Sequence, residues 1–312
     1  MEAMNTNTID MTSPAYMAEV VKKMPRLDDP REVEITRKLR EHFLKEQWAQ
    51  EAFAQLRKVQ IEYMREVIDK KDDPAFIYKR TQQVLTEVAR LLKAEIVEGG
   101  EFLDEIPKGE SVLVAFNHLG TYKLTPVKLK EELDIDIPGF DVMYPSPLFF
   151  GGLKPVSDRI GDDLVYVSDD FPGDLGDIHR ASGFIHVPPQ TAQPTGRTSY
   201  LIDQTAAAFK KRPNTAMVNF PEGKTTGKYS GKGVYDLEPF FTGGYVVAAN
   251  LGIRLPPVAQ CWDEHEGLKL KVFPSYKLDA TDKEAIKAHA DLDQRNMQAW
   301  FDELGVSEKA SS

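Results

Sequence analysis

Two polar segments, each placed directly after an apolar run, carry residue types that suit acid–base chemistry. His118 follows Ser111–Phe116 (SVLVAF), and Pro221–Lys224 (PEGK) follows Thr215–Phe220 (TAMVNF). Such apolar, β-branched runs are typical of buried strands. Ligands of open α/β sheets gather at the carboxyl ends of strands, so a histidine at such an end is placed for proton transfer. A strand-end histidine bonded only to the backbone is the alternative interpretation of His118.

The segment Pro221–Lys228 (PEGKTTGK) suits the binding of an anionic group. Its proline and first glycine set a sharp turn, and Gly223 allows a ligand close to the backbone. The lysines and threonines that follow supply positive charge and hydroxyl donors. The spacing G-x-x-x-x-G-K-[ST] is absent, so the segment is not a P-loop. Taken alone, it also fits an ordinary polar turn.

The elements that must position these segments form a predicted α/β core behind a helical N-terminal region. Apolar residues at three- and four-residue steps predict one long helix over residues 31–70. Asp73-Pro74 predicts the start of a second helix, which runs from about 75 to 97. We expect a mixed, largely parallel sheet flanked by helices, preceded by an N-terminal helical hairpin or small bundle. The predicted division is a helical region at 1–98 and an α/β domain at 99–312.

Shorter patterns predict the remaining elements of the core. Glycine, proline and aspartate are frequent in residues 151–195, which predicts long surface loops over the site. The clearest predicted helix is Thr198–Lys211. The other predicted strands are Asp141–Tyr144, Gly183–Val187, Arg254–Gln260 and Leu268–Phe273.

Composition excludes several classes of protein. The 312 residues include 39 Lys and Arg against 49 Asp and Glu, and the formal net charge of −10 argues against a nucleic-acid partner. The lone Cys261 excludes an intramolecular disulfide and a multi-cysteine zinc site, which favours a reducing, cytoplasmic location. We expect no signal peptide and no transmembrane segment, because the most apolar stretch, Gly243–Ile253, is far shorter than the roughly 20 residues that span a bilayer.

The same sequence features argue against a membrane surface and a metal ion as ligands. Peripheral membrane contact through helix 31–70 stays open, but its polar face mixes acids and bases, which favours packing on the core or on a partner. His179 and His186 have no Cys, Asp or Glu at helical ligand spacing, so no metal site is predicted. The acidic residues within Asp162–Asp170 lack the EF-hand pattern and are interpreted as solvated loop.

The order and spacing of these segments resemble those of the glycerolipid acyltransferase superfamily, the glycerol-3-phosphate and lysophosphatidate acyltransferases. The Asn-His pair and the Phe-Pro-Glu-Gly turn are 104 residues apart, and Gly183–Val187 between them resembles the family's middle strand. Gly196-Arg197 with the following helix resembles the family's Arg-led helix, and Leu251–Val258 resembles its last motif. The resemblance covers about residues 105–275.

The resemblance implies transfer of an acyl group from a thioester of CoA or of an acyl carrier protein to a hydroxyl or amine acceptor, with no bound cofactor. It implies that His118 deprotonates the acceptor and that Glu222 orients the acceptor or His118. The substrate-binding positions that it implies are Asn117, Thr121, Tyr122, Lys123, Arg197, Phe220, Pro221, Gly223, Lys224 and Thr225.

One position departs from the family's His-x4-Asp dyad, in which the aspartate stabilises the imidazolium. Lys123 stands at the aspartate's position, and a cation beside His118 lowers the pKa of the imidazole. Three accounts stay open. In one, another carboxylate supplies the missing charge, the candidates being Glu222, Asp141 and Asp162. In another, His118 is a weak neutral base while Lys123 or Tyr122 holds a carbonyl or carboxylate. In the last, the site binds acyl groups without catalysis.

The phosphate-binding positions depart as well. After the FPEG turn the family continues with Thr-Arg-Ser, whereas this chain has Lys224–Thr226 (KTT), and lysine lacks the bidentate fork of arginine. Pro188-Pro189 stands where the middle motif has its arginine, with Arg197 as the candidate replacement. We therefore expect a small-molecule or carrier-bound acceptor other than glycerol phosphate. Two alternatives stay open: a catalytically degenerate accessory protein that binds acyl groups or a carrier, and a thioesterase or carrier-to-carrier transferase.

Overall fold

The computed structural model describes residues 29–119, 122–136, 142–144, 152–160, 163–169, 173–187, 196–224, 226–227 and 233–307. Its first helices are α1 (Pro30–Phe43), α2 (Gln47–Asp69) and α3 (Pro74–Leu91). The next elements are β1 (Glu95–Glu98), α4 (Glu101–Asp104), β2 (Val112–Phe116), β3 (Tyr122–Leu124), α5 (Pro126–Leu133), β4 (Val142–Tyr144) and α6 (Leu153–Ile160). They are followed by β5 (Asp163–Asp169), α7 (Gly173–Ala181), β6 (Phe184–Val187), α8 (Arg197–Lys211) and β7 (Thr215–Asn219). The last elements are α9 (Gly243–Leu251), β8 (Pro257–Asp263), β9 (Gly267–Val272) and α10 (Lys283–Glu303).

The stretch predicted as one helix over residues 31–70 is two helices, α1 and α2, so that prediction was wrong. Between them, Leu44 is buried, and the N–H groups of Lys45 and Glu46 both donate to the Glu264 carboxylate. In a continuous helix these N–H groups would bond to carbonyls four residues earlier. A contact with a residue 218 positions further along the chain thus competes with the helix and interrupts it.

The second predicted helix starts as expected but ends early. Asp73 caps α3 by accepting a hydrogen bond from Phe76 N at 2.9 Å. The helix stops at Leu91 because Lys93 takes a left-handed conformation with φ of 49°. The next residues form β1, which pairs in parallel with β9, so the expectation of helix up to residue 97 was wrong. The division of the chain at residue 98 stays a prediction.

Among the described residues, a sheet of seven strands forms the centre of the molecule in the order β1-β9-β8-β2-β7-β5-β6. The β8-β2-β7-β5-β6 strands are parallel, whereas β9 runs antiparallel to β8. The predicted fold class, a mixed and largely parallel sheet flanked by helices, is confirmed. Since β2 lies between β7 and β8 and is parallel to both, the carboxyl ends of β2 and β7 lie side by side, and β8 continues past the end of β2.

Helices cover both faces of this sheet. On one face, Leu113 and Ala115 of β2 pack in a cluster with apolar residues of α2, α3, α8, α9 and α10. On the other face, Val112, Val114 and Phe116 pack with residues of α4 and α6. The alternation along β2 explains why its apolar run is continuous, since both faces of the strand are buried. No helix in the described part of the chain has the length and apolar character needed to cross a membrane.

Residues 151–195 hold more regular structure than the predicted surface loops. The stretch contains α6, β5 and α7, and β5 lies inside the sheet between β7 and β6. The run Leu164–Val167 (LVYV) is short, with polar residues on both sides. Its strand conformation depends on two neighbouring strands that supply backbone partners. The prediction of long loops was therefore wrong for these elements, whereas the strand predicted at Gly183–Val187 is confirmed as β6. Residues 151, 161–162, 170–172 and 188–195 lie outside the described part.

Candidate active site

His118 lies just past the carboxyl end of β2, beside the end of β7 and the middle of β8. Its ring packs against the ring of Phe220, which follows β7, with 4.7 Å between the ring centroids and an angle of 54° between the planes. The parallel register explains this contact, because Ala115 on β2 pairs with Asn219 on β7. The structure thus brings together the two polar segments that the sequence places about a third of the chain apart.

Glu222 joins these segments through its buried carboxylate, which has 0% exposure. Its Oε1 accepts a hydrogen bond from His118 N at 2.9 Å, and its Oε2 accepts one from Glu238 N at 3.0 Å. Burial raises the pKa of Glu222 from 4.5 to about 7, while the hydrogen bonds that it accepts act in the opposite direction. The carboxylate therefore contacts the backbone of His118 rather than the imidazole ring, and orients the residue through its main chain.

Thr226 completes this link on the far side of His118. Its backbone N donates to His118 O at 2.8 Å, and its hydroxyl lies 2.8 Å from both His118 O and Glu222 Oε1. A hydroxyl carries one proton, so it donates to one of these two oxygens at a time. The N–H of His118 and its carbonyl are both held by the segment that follows β7.

Asn117, directly after β2, exchanges hydrogen bonds with Gln260 in the middle of β8. Asn117 Oδ1 accepts from Gln260 N at 2.7 Å, and Asn117 Nδ2 donates to Gln260 O at 3.2 Å. The Gln260 side chain returns a bond, from Nε2 to Asn117 O at 3.1 Å. Both side chains are fully buried, so the Asn117 amide serves the join between the two strands.

The turn after β7 requires a glycine at position 223. Gly223 has φ of +63°, in the left-handed region that side chains disfavour, and its N–H donates to Phe220 O at 2.9 Å. Phe241 lies directly over this glycine and donates from its backbone N to Pro221 O at 2.7 Å. The Phe241 side chain is 63% exposed, which makes it a large apolar surface beside the turn.

Lys224 follows the turn and is paired with an acid that sequence reasoning did not single out. Its Nζ lies 3.9 Å from Glu238 Oε2, and the Glu238 side chain is only 7% exposed. Lys224 therefore places its charge next to the buried carboxylate of Glu238. No sequence pattern near Glu238 or Gln260 indicated a site, because both depend on contacts between distant segments.

The remaining predicted positions are Arg197, which the structure describes in full, and residues that it describes in part or not at all. Arg197 is half-buried in the first turn of α8, after Gly196 in a left-handed conformation with φ of 80°. Tyr122 and Lys123 lie in β3, which pairs with β4 in an antiparallel two-stranded sheet. The side chains of Tyr122 and Lys123 are not among those described. Four predicted positions lie outside the described residues altogether: Thr121, Asp141, Asp162 and Thr225.

The two histidines of the middle segment pair with each other at the end of β6. His179 Nδ1 lies 2.7 Å from His186 Nε2, and Arg180 donates to His186 Nδ1 at 3.0 Å. Burial lowers the pKa of His179 to about 4, so its ring is neutral at neutral pH. In the part of the chain that the structure describes, no group of three or more His, Cys, Asp or Glu residues is placed to hold a metal ion.

Comparison with known proteins shows a distant likeness to solved structures. No family model matches the chain, and no curated protein matches its sequence. Among solved structures, the chain is similar to the 1-acyl-sn-glycerophosphate (LPA) acyltransferase PlsC from Thermotoga maritima, with a TM-score of 0.42 and 15% identity over 76% of this chain and 88% of that chain. At this distance the likeness assigns neither a residue role nor an activity to this chain.

Proposed function

We propose that the protein is an acyltransferase that moves an acyl group from a CoA or acyl-carrier-protein thioester to a hydroxyl or amine acceptor. The observation that carries the proposal is the bond from His118 N to Glu222 Oε1, which joins the Asn-His pair to the FPEG turn at one sheet edge. The resemblance of those segments to glycerolipid acyltransferases supplies the reaction class. A strand-end histidine held by a buried acid suits a general base, because its position is set before the substrate arrives.

In the proposed reaction, His118 takes the proton of the acceptor hydroxyl or amine as the acceptor attacks the thioester carbonyl carbon. A bond from the acceptor oxygen or nitrogen to that carbon forms, and the carbon–sulfur bond breaks. The imidazolium returns its proton to the leaving thiolate, so the products are an ester or amide and a free thiol. Glu222 takes no proton in this scheme and holds the His118 backbone. Gly223 and Lys224 are the proposed contacts for polar or anionic parts of the substrates.

The second candidate function is an accessory protein that binds an acyl group or a carrier without catalysis. Lys123, at the position of the family's dyad aspartate, favours it, because a cation there opposes the imidazolium that the reaction forms. Lys123→Asp separates the two functions. If the protein is an acyltransferase, we expect the change to raise turnover. We also expect the acidic limb of the pH–rate profile to move to higher pH, since a carboxylate raises the pKa of His118. In the accessory protein, the variant and the wild type both release no thiol.

The decisive experiment measures thiol release from a panel of acyl-CoA and acyl-carrier-protein thioesters, with and without hydroxyl and amine acceptors, with products identified by mass spectrometry. We expect release that depends on an acceptor and that falls about a hundredfold or more in His118→Ala. His265→Ala is the matched control, since that side chain is 76% exposed in the turn between β8 and β9. Release without an acceptor would indicate a thioesterase, and full activity of His118→Ala would refute the proposed base.

A further inference from the structure

The peptide group between Asn117 and His118 is held by two side chains from distant parts of the chain. Its carbonyl oxygen accepts a hydrogen bond from Gln260 Nε2 at 3.1 Å, and its N–H donates to Glu222 Oε1 at 2.9 Å. Because a peptide group is planar, holding both of its polar atoms fixes the orientation of the whole group. The direction in which His118 leaves the strand is therefore set from β8 on one side and from the turn after β7 on the other.

Gln260 extends the pairing of β2 and β8 past the point where the backbone ladder ends. The last pair in that ladder is Phe116 with Val258, and beyond it Asn117 and Gln260 exchange bonds between side chain and backbone in both directions. Both residues are 0% exposed. Water does not compete for such buried bonds, so leaving one donor or acceptor without its partner is costly.

The oxygen of the Gln260 amide, Oε1, indicates that this residue does more than fill space in the core. Gln260 Oε1 is buried and has no hydrogen-bond partner among the described residues. It faces Gly152, where an added Cβ would lie only 2.6 Å from this oxygen. Turning the amide over would set its oxygen against the Asn117 carbonyl, so the orientation is determined. A leucine or methionine would avoid the unmet acceptor but could not donate to the Asn117 carbonyl.

We infer that Gln260 is a positioning residue for His118, acting through the Asn117 peptide group. The inference rests on the proposed function, because it assumes that His118 is the base. Gln260 belongs to the buried strand β8 and lies 143 residues from Asn117 in the sequence. Within β8 (PVAQCWD), it is the polar residue of a stretch that is otherwise buried and apolar from Pro257 to Cys261.

The test replaces Gln260 by methionine, which keeps the length of the side chain and removes the Nε2 donor. We expect kcat to fall about tenfold to a hundredfold, as a displaced base predicts, with KM for the thioester within about twofold. In a His118→Ala background, Gln260→Met should cause no further loss, because the two residues act as one unit. A loss of equal size in that background would overturn the inference. Thr215→Val is the matched control, since it removes a buried hydroxyl at the opposite end of β7.

Gly152→Ala is the second variant, which keeps the test open if Gln260→Met does not fold. It presses a methyl group on the Gln260 amide without removing it, so we expect a smaller fall in kcat in the same direction. Unchanged kcat in a folded Gly152→Ala protein would contradict the inference, because the added Cβ lies too close to Gln260 Oε1 for the amide to keep its place.

A measurement without substrate separates this inference from the proposed function. In histidine-labelled protein, the His118 imidazole resonance is assigned by its loss in His118→Ala. Gln260→Met should shift that resonance and its titration midpoint, while the exposed His265 stays unchanged. A shift in a protein with no turnover would support the positioning role and refute the acyltransferase proposal. An unchanged His118 titration would overturn the positioning role whatever the activity.

Discussion

The carboxylate of Glu222 accepts a hydrogen bond from the backbone N–H of His118 at 2.9 Å, across 104 residues of chain. This contact links the two sequence segments that resemble acyltransferase motifs, and it does so through the main chain. Three carboxylates were candidates to replace the family's dyad aspartate, and Glu222 is the one that lies within the described residues. Its carboxylate contacts two backbone N–H groups and a threonine hydroxyl. Glu222 therefore holds His118 through its main chain.

The stability of the protein should depend on pH through Glu222. Burial raises the pKa of this carboxyl from 4.5 to about 7. A folded-state pKa above the unfolded value means that the stabilisation is fully present below about pH 4.5 and is lost as the pH rises through about 7. Glu222→Gln removes this titration, so we expect the free energy of unfolding, measured in urea at a series of pH values, to fall less between about pH 5 and 8. The exposed Glu303→Gln is the control, and an undiminished fall in Glu222→Gln would contradict the prediction.

A second buried acid should add to the same dependence. Asp293 on α10 accepts hydrogen bonds from Tyr276 and, at 3.0 Å, from Tyr245 on α9, and burial raises its pKa to about 7. The sign is the same, so stability is lost as the pH rises through about 7. Asp293→Asn should reduce the pH dependence of the free energy of unfolding independently of Glu222→Gln, because the two residues share no hydrogen-bond partner. Urea unfolding of the double variant checks this, and strong non-additivity would argue against two separate sites.

Tyr245→Phe tests the hydrogen-bond network around Asp293 directly. The variant removes a buried donor while Tyr276 still donates to the same carboxyl. We expect a loss of about 1 kcal/mol in the free energy of unfolding at neutral pH, the usual size for one buried hydrogen bond. No change in the midpoint of thermal or urea unfolding would show that the Tyr245–Asp293 bond carries no net stability.

Gly223→Ala should reduce both stability and turnover. The left-handed φ of +63° adds about 1–2 kcal/mol of strain, and the new methyl group would lie 3.1 Å from the Phe241 ring. Gly252→Ala is the matched control, because its φ is +60° and nothing lies within 4 Å of an added Cβ. We expect similar losses of stability in both variants, and a fall in kcat/KM in Gly223→Ala alone. Equal kcat/KM in the two variants would show that the turn at Gly223 does not contribute to the site.

Gly244→Ala should disturb the end of β7 from the side of α9. An added Cβ would press directly against the Asn219 side-chain amide and lie 2.8 Å from Asn219 Cγ. Overpacking of this kind costs about 1–3 kcal/mol. Asn219→Ala should recover much of that loss in the double variant, measured by urea unfolding, because it removes the atoms in conflict. A purely additive result would place the effect elsewhere.

Sequence patterns predicted the elements whose signals are local. The start of α3 follows from Asp73 and Pro74, which cap a helix by short-range bonds. The β2 and β7 strands follow from apolar runs that are buried on both faces. The break between α1 and α2 and the strand β5 were missed, because they depend on Glu264 and on two neighbouring strands respectively.

The sequence by itself determined which residue types follow which strands, and hence that His118 and the FPEG turn end two strands of one α/β sheet. That information is local, since strand periodicity and turn chemistry act within a few residues. Only the tertiary structure decided that β2 lies between β7 and β8 and that Glu222 bonds to the His118 backbone. It alone placed Gln260 against Asn117. The physical reason is that a buried polar side chain takes the partner that the packed strands bring to it, and no spacing along the chain encodes that partner.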